Sequence, residues 1–201
     1  MIIGGLDLGT SGCKFTVYQD LHKIAETSQP YPTIHYGRCH SIDANVVWEA
    51  VSSVIQRAAN SIEGNDLIKA ICVSSFGEAA TPVDINGNVL AQARLFWDES
   101  GYEENERLVE RLGKNSIYKT TGLLPNRKYT INKIAWYRHY QPEIYEKAHK
   151  FLLFEDFIIY RLTGEYAISY SLAGRTMAFD LRKHTWAKGI FEAAGVDVDK
   201  M

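Results

Sequence analysis

The chain has 201 residues, of which 46% are hydrophobic and 23% charged, values typical of one globular domain with a sizeable core. Its net charge of −2 argues against nucleic acid or an anionic membrane as a partner. Because no apolar run is long enough to cross a bilayer and the amino terminus lacks the basic and apolar regions of a signal peptide, we expect a cytoplasmic protein without a membrane partner.

Cysteine and histidine usage gives no sign of a disulfide framework or a zinc site. The three cysteines are odd in number and far apart in the sequence, and the six histidines show no spacing such as His-x-x-x-His. We therefore assign none of these residues to a metal.

A glycine-containing loop lies between two apolar runs at the start of the chain. Residues 1–6 and 15–18 are rich in β-branched and aromatic residues, which suit strands and make the intervening segment a hairpin turn. Gly9 and Gly12 can adopt positive φ and let the backbone approach a ligand closely. Consecutive N–H groups of such a loop can form an anion-binding nest.

The polar side chains of this loop are compatible with two interpretations. The hydroxyls of Thr10 and Ser11 add donors for a phosphate, and Lys14 adds positive charge. Asp7 would repel a bare phosphate, but a divalent cation or its water shell between the two makes the carboxylate useful, as in phosphoryl-transfer sites. An ordinary hairpin in which Asp7 starts a turn explains the same residues equally well.

The pattern that follows predicts strands, a helix and a parallel crossover. Residues 21–31 and 36–42 form a third strand and a short extended piece, and Asp43 caps a helix with two adjacent apolar rows. Residues 64–66 end that helix. Ile68–Ser74 is a nearly continuous apolar run suited to a strand covered on both faces and paired in parallel.

The remainder of the chain predicts one hairpin and then mostly helix. Thr81–Leu90 contains Asn86-Gly87, a favoured two-residue hairpin turn. From Gly101 onward the pattern is helical, so the second half is expected to be a largely helical addition to an α/β platform. The predicted helices are 102–112, 116–120, 130–140, 142–148, 155–162 and 186–194.

Short blocks spread over nearly the whole chain share the order and spacing of one known family. The blocks are Leu6–Ser11, Ile71–Glu78, Val83–Leu90, Phe96–Asp98, Thr121–Leu123, Lys133–Trp136, Leu162–Glu165 and Ala173–Asp180. Each block alone is weak evidence, but their common order does not arise by chance. The chain thereby resembles the FGGY carbohydrate kinases, which belong to the actin-like ATPase superfamily.

The resemblance implies a fold and a function. The fold is α/β, a ribonuclease H-like (actin-like ATPase) domain with a mixed sheet and a largely helical addition in the second half. Residues 1–201 would be the amino-terminal domain, incomplete at its carboxyl end, with the ATP-binding domain and the catalytic base absent. We therefore expect the full-length protein to phosphorylate a sugar or polyol with ATP and Mg²⁺, and the chain alone to be inactive.

One alternative function and one assembly state stay open, and a second alternative function is disfavoured. A non-catalytic sugar-binding or interaction module could keep the same platform, and the resemblance also leaves open a homodimer. An actin-like ATPase of chaperone or cytoskeletal type is disfavoured by Glu78, Trp97 and the block at 162–164, which resemble carbohydrate kinases instead.

The resemblance assigns the phosphate side of the site to the opening loop. Asp7 becomes the catalytic residue near Mg²⁺ and the transferred phosphate. Gly9, Thr10 and Ser11 would cradle that phosphate, and Lys14 stands where family members carry a basic residue.

The resemblance assigns the substrate side to Gly77, Glu78, Trp97, Lys128 and Tyr129. A carboxylate such as that of Glu78 can accept hydrogen bonds from two neighbouring hydroxyls, and an indole face suits sugar C–H groups. Gly77 replaces a larger family residue, which predicts a wider or less charged pocket. The alternative is an exposed loop acid at Glu78 and a solvated loop at residues 128–129.

Some residues near these blocks are expected to be structural or only weak candidates. Glu99 and Gly101 depart from the family pattern, so Asp98 and Glu99 are weak site candidates. We expect structural roles for the remaining residues singled out in the later blocks, namely Lys133, Trp136 and Arg175, the last of which would hold the helical part to the sheet.

Overall fold

A computed structural model describes residues 1–62 and 67–201. The strands are β1 (Ile2–Leu8), β2 (Gly12–Gln19), β3 (His22–Pro30), β4 (Ile34–Tyr36), β5 (Cys39–Ile42), β6 (Ala70–Ser75), β7 (Ala80–Val83), β8 (Ala93–Arg94), β9 (Lys150–Leu153), β10 (Phe179–Asp180) and β11 (Thr185–Trp186). The helices are α1 (Ala44–Asn60), α2 (Tyr102–Leu112), α3 (Lys114–Thr121), α4 (Thr130–Tyr140), α5 (Pro142–Lys147), α6 (Phe154–Thr163), α7 (Tyr170–Gly174) and α8 (Lys188–Ala194), followed by a 3₁₀ turn at Val198–Lys200.

The main sheet has the order β3-β2-β1-β6 and is mixed. Strands β1 and β2 form the predicted antiparallel hairpin, with Leu8 opposite Cys13. Strand β6 pairs with β1 in parallel after the crossover through α1, which confirms the predicted connection. Buried Phe15 and Val17 alternate along β2 with polar residues, so one face of the sheet lies on the core.

Helix α1 covers that buried face. Asp43 caps it, because the Asp43 carboxylate accepts the Asn45 N–H at 2.8 Å, and the cap is confirmed. Val47, Val51 and Val54 are completely buried, as the paired apolar rows predict. The predicted end of the helix at residues 64–66 lies outside the described residues.

Strand β6 is covered on one face only, so the prediction of a strand buried on both faces is wrong. Ala70, Cys72 and Ser74 are exposed and alternate with half-buried Ile71 and Val73. Helix α6 lies against the covered side. An apolar run gives no information about which strand lies at the edge of a sheet, and β6 is the outer strand of this sheet in the described part of the chain.

A long-range strand pair replaces most of the predicted hairpin at Thr81–Leu90. The turn itself forms, since Gly87 has a φ of 78° and its N–H donates to the Asp84 carbonyl at 3.0 Å. The return arm makes only one β-bridge, between Val83 and Val89. The ladder partner of β7 is β9 instead.

The helical second half follows the predicted pattern, apart from three differences and helix ends that differ by one residue, and a fourth difference lies earlier in the chain at residues 36–42. Helices α2 and α4 have the predicted bounds, but α3 begins two residues early and α7 was not predicted. Residues 185–186 pair with β10 instead of starting a helix. Residues 36–42, predicted as one extended piece, belong to the β4–β5 hairpin.

Two hydrophobic cores meet at the β7–β9 pair. One core lies between the main sheet, α1 and α6, and the other lies among α2, α4 and α8. Leu152 belongs to the first core, whereas Phe151 and Leu153 on the opposite face of β9 belong to the second. Within residues 1–62 and 67–201, no helix combines the length and the hydropathy that a membrane crossing needs.

Candidate functional site

The loop between β1 and β2 is closed by its own backbone and by Tyr31. The Gly9 N–H donates to the Gly12 carbonyl at 2.9 Å, and the Tyr31 N–H donates to the Ser11 carbonyl at 3.1 Å. The Tyr31 hydroxyl donates to the Gly9 carbonyl at 2.6 Å. Three hydrogen bonds therefore fix the loop from the inside.

The two loop glycines do not adopt positive φ, which corrects the conformational part of the prediction. Gly12 is needed for close approach instead, because a Cβ there would lie 2.9 Å from the Gln29 carbonyl oxygen. Since the Gly9 N–H is used in the turn, an anion-binding nest here depends on Thr10 and Ser11. In the hydrogen-bond network of the described residues, the N–H groups and hydroxyls of both have no protein partner.

Asp7, Lys14 and Ser74 form a row across three strands on the exposed face of the sheet. Asp7 is the register partner of Lys14 in β2 and of Ser74 in β6, so the three side chains point the same way. All three residues are exposed. Among the described residues, neither Asp7 nor Lys14 forms an ion pair within 4 Å, so both charges are open to a ligand from the described side of the site.

The donor set around Asp7 suits a magnesium ion that keeps most of its water. Throughout the part of the chain that the structure describes, no three His, Cys, Asp or Glu side chains form a metal cluster. Mg²⁺ is commonly held by one or two carboxylates together with substrate phosphates and waters. A single carboxylate at Asp7, beside a loop whose Thr10 and Ser11 donors have no protein partner among the described residues, matches that pattern better than an all-protein cage does.

Glu78 lies just after β6 and is the buried partner of an ion pair. The residue is 4% exposed, and its carboxylate accepts a hydrogen bond from the guanidinium of Arg175. Its backbone is in the left-handed region, with a φ of 67°, and its carbonyl accepts the Thr130 hydroxyl at 3.0 Å. The alternative of an exposed loop acid is therefore wrong, and a strained backbone at a strand end is common at functional sites.

Arg175 also occupies the space beside Gly77. A Cβ at Gly77 would lie 3.4 Å from the Cβ, Cγ and Nε atoms of Arg175. A guanidinium from the end of α7 therefore lies where Gly77 leaves room, and the wider or less charged pocket stays a prediction. The expected structural role of Arg175 agrees with its link between the helical part and the sheet.

Trp97 is half-buried at the border of the first core. Its ring centroid lies 6.3 Å from that of His40 and 4.5 Å from that of Phe96. The indole therefore has one side on the core and another toward the loop that begins at Asp98.

Asp98 and Lys133 anchor that loop from the inside. The Asp98 carboxylate accepts the His40 N–H at 2.6 Å and the Ser100 N–H at 2.9 Å, while Lys133 Nζ donates to the Asp98 carbonyl at 3.3 Å. Burial opposes ionisation of Asp98, but these hydrogen bonds and the Lys133 charge hold its pKa below the usual value. Burial lowers the pKa of Lys133 to about 8, partly offset by Asp98. The expected structural role of Lys133 agrees with this packing.

Lys128 and Tyr129 differ in what they can offer a substrate. Tyr129 is 7% exposed, belongs to the second core and precedes α4 directly. Lys128 is half-buried, with its Nζ 5.2 Å from the Tyr129 ring centroid. Lys128 is the better placed of the two to meet a ligand, and Tyr129 packs as a core residue.

The β1–β2 loop and Glu78 lie at neighbouring strand ends. The Phe76 N–H donates to the Leu8 carbonyl at 3.0 Å, so β1 and β6 end side by side. Ligands of open α/β sheets bind outside the carboxyl ends of the strands. The structure thus brings the Asp7 loop and the Glu78–Arg175 pair to one edge of the sheet, with the first turn of α4 beside Glu78.

Sequence reasoning missed two parts of this arrangement. It did not predict that Arg175 pairs with Glu78, which is 97 residues away in the chain, or that Thr130 holds the Glu78 backbone. Arg175 lies in a family block, and that was the available signal, but pairing across such a distance depends on the fold.

Comparisons with known proteins identify the family. The model of the FGGY family of carbohydrate kinases, N-terminal domain, matches residues 2–201. The glycerol kinase of Thermococcus onnurineus is 31% identical over 201 residues, with 95% of this chain and 40% of the relative covered. The xylulose kinase of Staphylococcus xylosus is 28% identical over 195 residues, with 96% of this chain and 40% of the relative covered. The chain thus spans about two fifths of the length of these relatives.

Solved structures show the same fold. The xylulose kinase of Rhodospirillum rubrum superposes with a TM-score of 0.94 at 19% identity, covering 100% of this chain and 42% of the other. A gluconate kinase from Lactobacillus acidophilus superposes with a TM-score of 0.90 at 23% identity, covering 99% of this chain and 40% of the other. The predicted ribonuclease H-like, actin-like ATPase fold is confirmed. This chain belongs to the FGGY family of carbohydrate kinases and corresponds to their N-terminal domain.

Proposed function

We propose that the full-length protein transfers a phosphoryl group from ATP to a hydroxyl of a sugar or polyol. In this proposal the chain supplies the phosphate loop and most of the sugar pocket, and the catalytic base comes from sequence outside it. The observation that carries the proposal is a juxtaposition at neighbouring strand ends. Asp7 and Lys14, which form no ion pair among the described residues, lie beside the ion pair of buried Glu78 and exposed Arg175. Membership of the family supports the reaction class.

The phosphate side of the site consists of side chains and N–H groups that form no hydrogen bond or ion pair with other described residues. ATP with Mg²⁺ would supply the transferable phosphoryl group. The N–H groups and hydroxyls of Thr10 and Ser11 would donate to its oxygens, and Lys14 would offset their negative charge. Asp7 would hold Mg²⁺ through the carboxylate or through a water ligand.

The substrate side depends on the carboxylate of Glu78. It would accept hydrogen bonds from neighbouring hydroxyls of an open-chain ketose, polyol or aldonic acid, and the primary hydroxyl would be the acceptor. Arg175 orients that carboxylate through its hydrogen bond and offsets its negative charge. Trp97 would pack on the C–H face of the sugar and Lys128 would reach its far end.

A thermal-shift panel tests this proposal. The full-length protein is heated with ketoses, polyols and aldonic acids, and we expect at least one of them to raise the melting temperature, because a bound ligand stabilises the folded state. The same compound should raise the melting temperature of Glu49→Gln, an exposed site on α1, and should leave that of Glu78→Gln unchanged.

The panel also separates the alternatives. A panel in which no compound shifts the wild type contradicts the sugar pocket. A sugar that binds the full-length protein without any sugar-dependent ADP release supports the non-catalytic module instead.

A further inference from the structure

A cavity lies at the opposite end of α4 from the candidate site. It has a volume of about 340 Å³ and lies between α2, α4 and the carboxyl end of α8, at the lower end of the range for small-molecule pockets. Its polar lining comes from Glu104, Arg107, Arg111, Arg138 and His139.

The positive charges of this cavity are incompletely paired. Arg107 forms an ion pair with Glu103 at 3.1 Å. Across residues 1–62 and 67–201, neither Arg111 nor Arg138 has a carboxylate within 4 Å. At least two guanidinium charges, both on exposed residues, therefore line one cavity without a counter-ion from the described chain.

Capping of α8 explains only part of this arrangement. Arg111 donates to the Ala193 carbonyl at 2.6 Å, and Arg138 donates to the Gly195 carbonyl. Each contact uses one of the five N–H donors that a guanidinium carries. The capping contacts hold both guanidinium groups at the cavity wall. They leave N–H donors free for a bidentate contact with an anion such as phosphate.

Glu104 adds an unsatisfied acceptor to the same cavity. The residue is 5% exposed, and its Oε1 atom has no hydrogen-bond partner among the described residues. His139 Nδ1 is 3.6 Å away, beyond hydrogen-bond distance. A buried carboxylate oxygen without a donor is costly, and a ligand hydroxyl would remove that cost.

We propose that this cavity binds a small phosphate monoester that also carries hydroxyl groups, a phosphorylated polyol. Arg111 and Arg138 hold the phosphate, Arg107 adds to the positive field, and Glu104 accepts a hydroxyl. The site is separate from the proposed kinase site, since Arg138 lies eight residues, or about 12 Å of helix, from Thr130. It goes beyond the proposed function and does not depend on it.

Calorimetric titration tests the site with three probes: glycerol 3-phosphate, inorganic phosphate and glycerol. We expect glycerol 3-phosphate to bind with a Kd below about 1 mM, more tightly than inorganic phosphate, and glycerol not to bind here. Arg111→Gln should raise the Kd for glycerol 3-phosphate by at least about tenfold, because it removes a charged donor pair. Arg111→Lys keeps the charge but loses the paired N–H donors of the guanidinium, and it should raise the Kd by less.

Two further variants separate a built site from general attraction of anions. Arg182→Gln makes the same charge change at an exposed position outside the cavity and should leave the Kd unchanged. Glu104→Met should bring glycerol 3-phosphate and inorganic phosphate closer in affinity, which a purely structural role would not do. Absence of binding by glycerol 3-phosphate, binding that Arg111→Gln leaves intact, or equal weakening by Arg182→Gln would overturn the proposal.

Discussion

At the scale of single residues, the Glu78–Arg175 pair joins the helical part of the chain to the sheet. Glu78 is buried, whereas the Arg175 side chain is 48% exposed. Removal of the arginine leaves a buried carboxylate unpaired, whereas removal of the acid leaves a cation that water still reaches. The two partners are therefore unequal in what their loss costs.

We expect Arg175→Met to lower the free energy of unfolding by about 1–3 kcal/mol, and Glu78→Gln to lower it by less. Urea denaturation of the two variants measures the difference. Equal losses, or a larger loss for Glu78→Gln, would show that the buried carboxylate is not the costly partner.

Glycine at position 12 is required by close packing between strands. Gly12→Ala places a Cβ 2.9 Å from the Gln29 carbonyl oxygen and 3.1 Å from Pro30 Cα, so we expect a loss of about 1–3 kcal/mol in unfolding free energy. Gly189→Ala is the matched control, because nothing lies within 4 Å of its Cβ in α8. The control should be neutral or stabilising by up to about 1 kcal/mol. Chemical denaturation that finds Gly12→Ala as stable as the wild type contradicts the packing argument.

At the scale of elements, the start of α6 carries a buried acid with an unsatisfied atom. Asp156 is 3% exposed, its Oδ2 accepts the Leu153 N–H at 3.2 Å, and its Oδ1 has no partner among the described residues. Burial raises the pKa of Asp156 to about 8 from its ordinary value of 3.8. The folded protein thus keeps a proton that the unfolded chain has already lost.

This shift predicts a pH dependence of stability. Between pH 4 and pH 8 the folded state binds more protons than the unfolded state at this position, so unfolding free energy falls as the pH rises through that window. Asp156→Asn removes the titration and should remove that part of the slope, as urea midpoints at pH 5 and pH 8 would show. An unchanged difference between the two midpoints in the variant would assign the slope to other groups.

Local elements were predictable from the sequence wherever a local signal specifies them. The hairpin at Gly9–Ser11, the Asp43 cap and the bounds of α2 and α4 follow from strand formers, a capping residue and helical periodicity. The β7–β9 pair, the edge position of β6 and the close approach of Gly12 to Gln29 depend on residues far away in the chain, and no local pattern encodes them. The same reason explains the candidate site, where Glu78 was predicted and its pairing with Arg175 was not.

At the scale of the whole molecule, the β7–β9 pair holds a sheet domain and a helical addition together, with one core on each side. The candidate site lies at the edge where both parts contribute, since Asp7 and Lys14 come from the sheet and Arg175 from the helical part. In the proposed function, this arrangement would let one polar edge contact both a phosphate and a polyol.

Sugar-dependent ADP release by the full-length protein tests the central claim most directly, with Asp7→Asn beside the wild type and Asp20→Asn as an exposed control on the β2–β3 turn. The wild type and Asp20→Asn should turn over at least one ketose, polyol or aldonic acid, and Asp7→Asn should be slower by at least about 100-fold, since a charge near the transferred phosphate is lost. Wild-type protein that releases no ADP with any of these compounds, or an Asp7→Asn variant as fast as the wild type, would contradict the account.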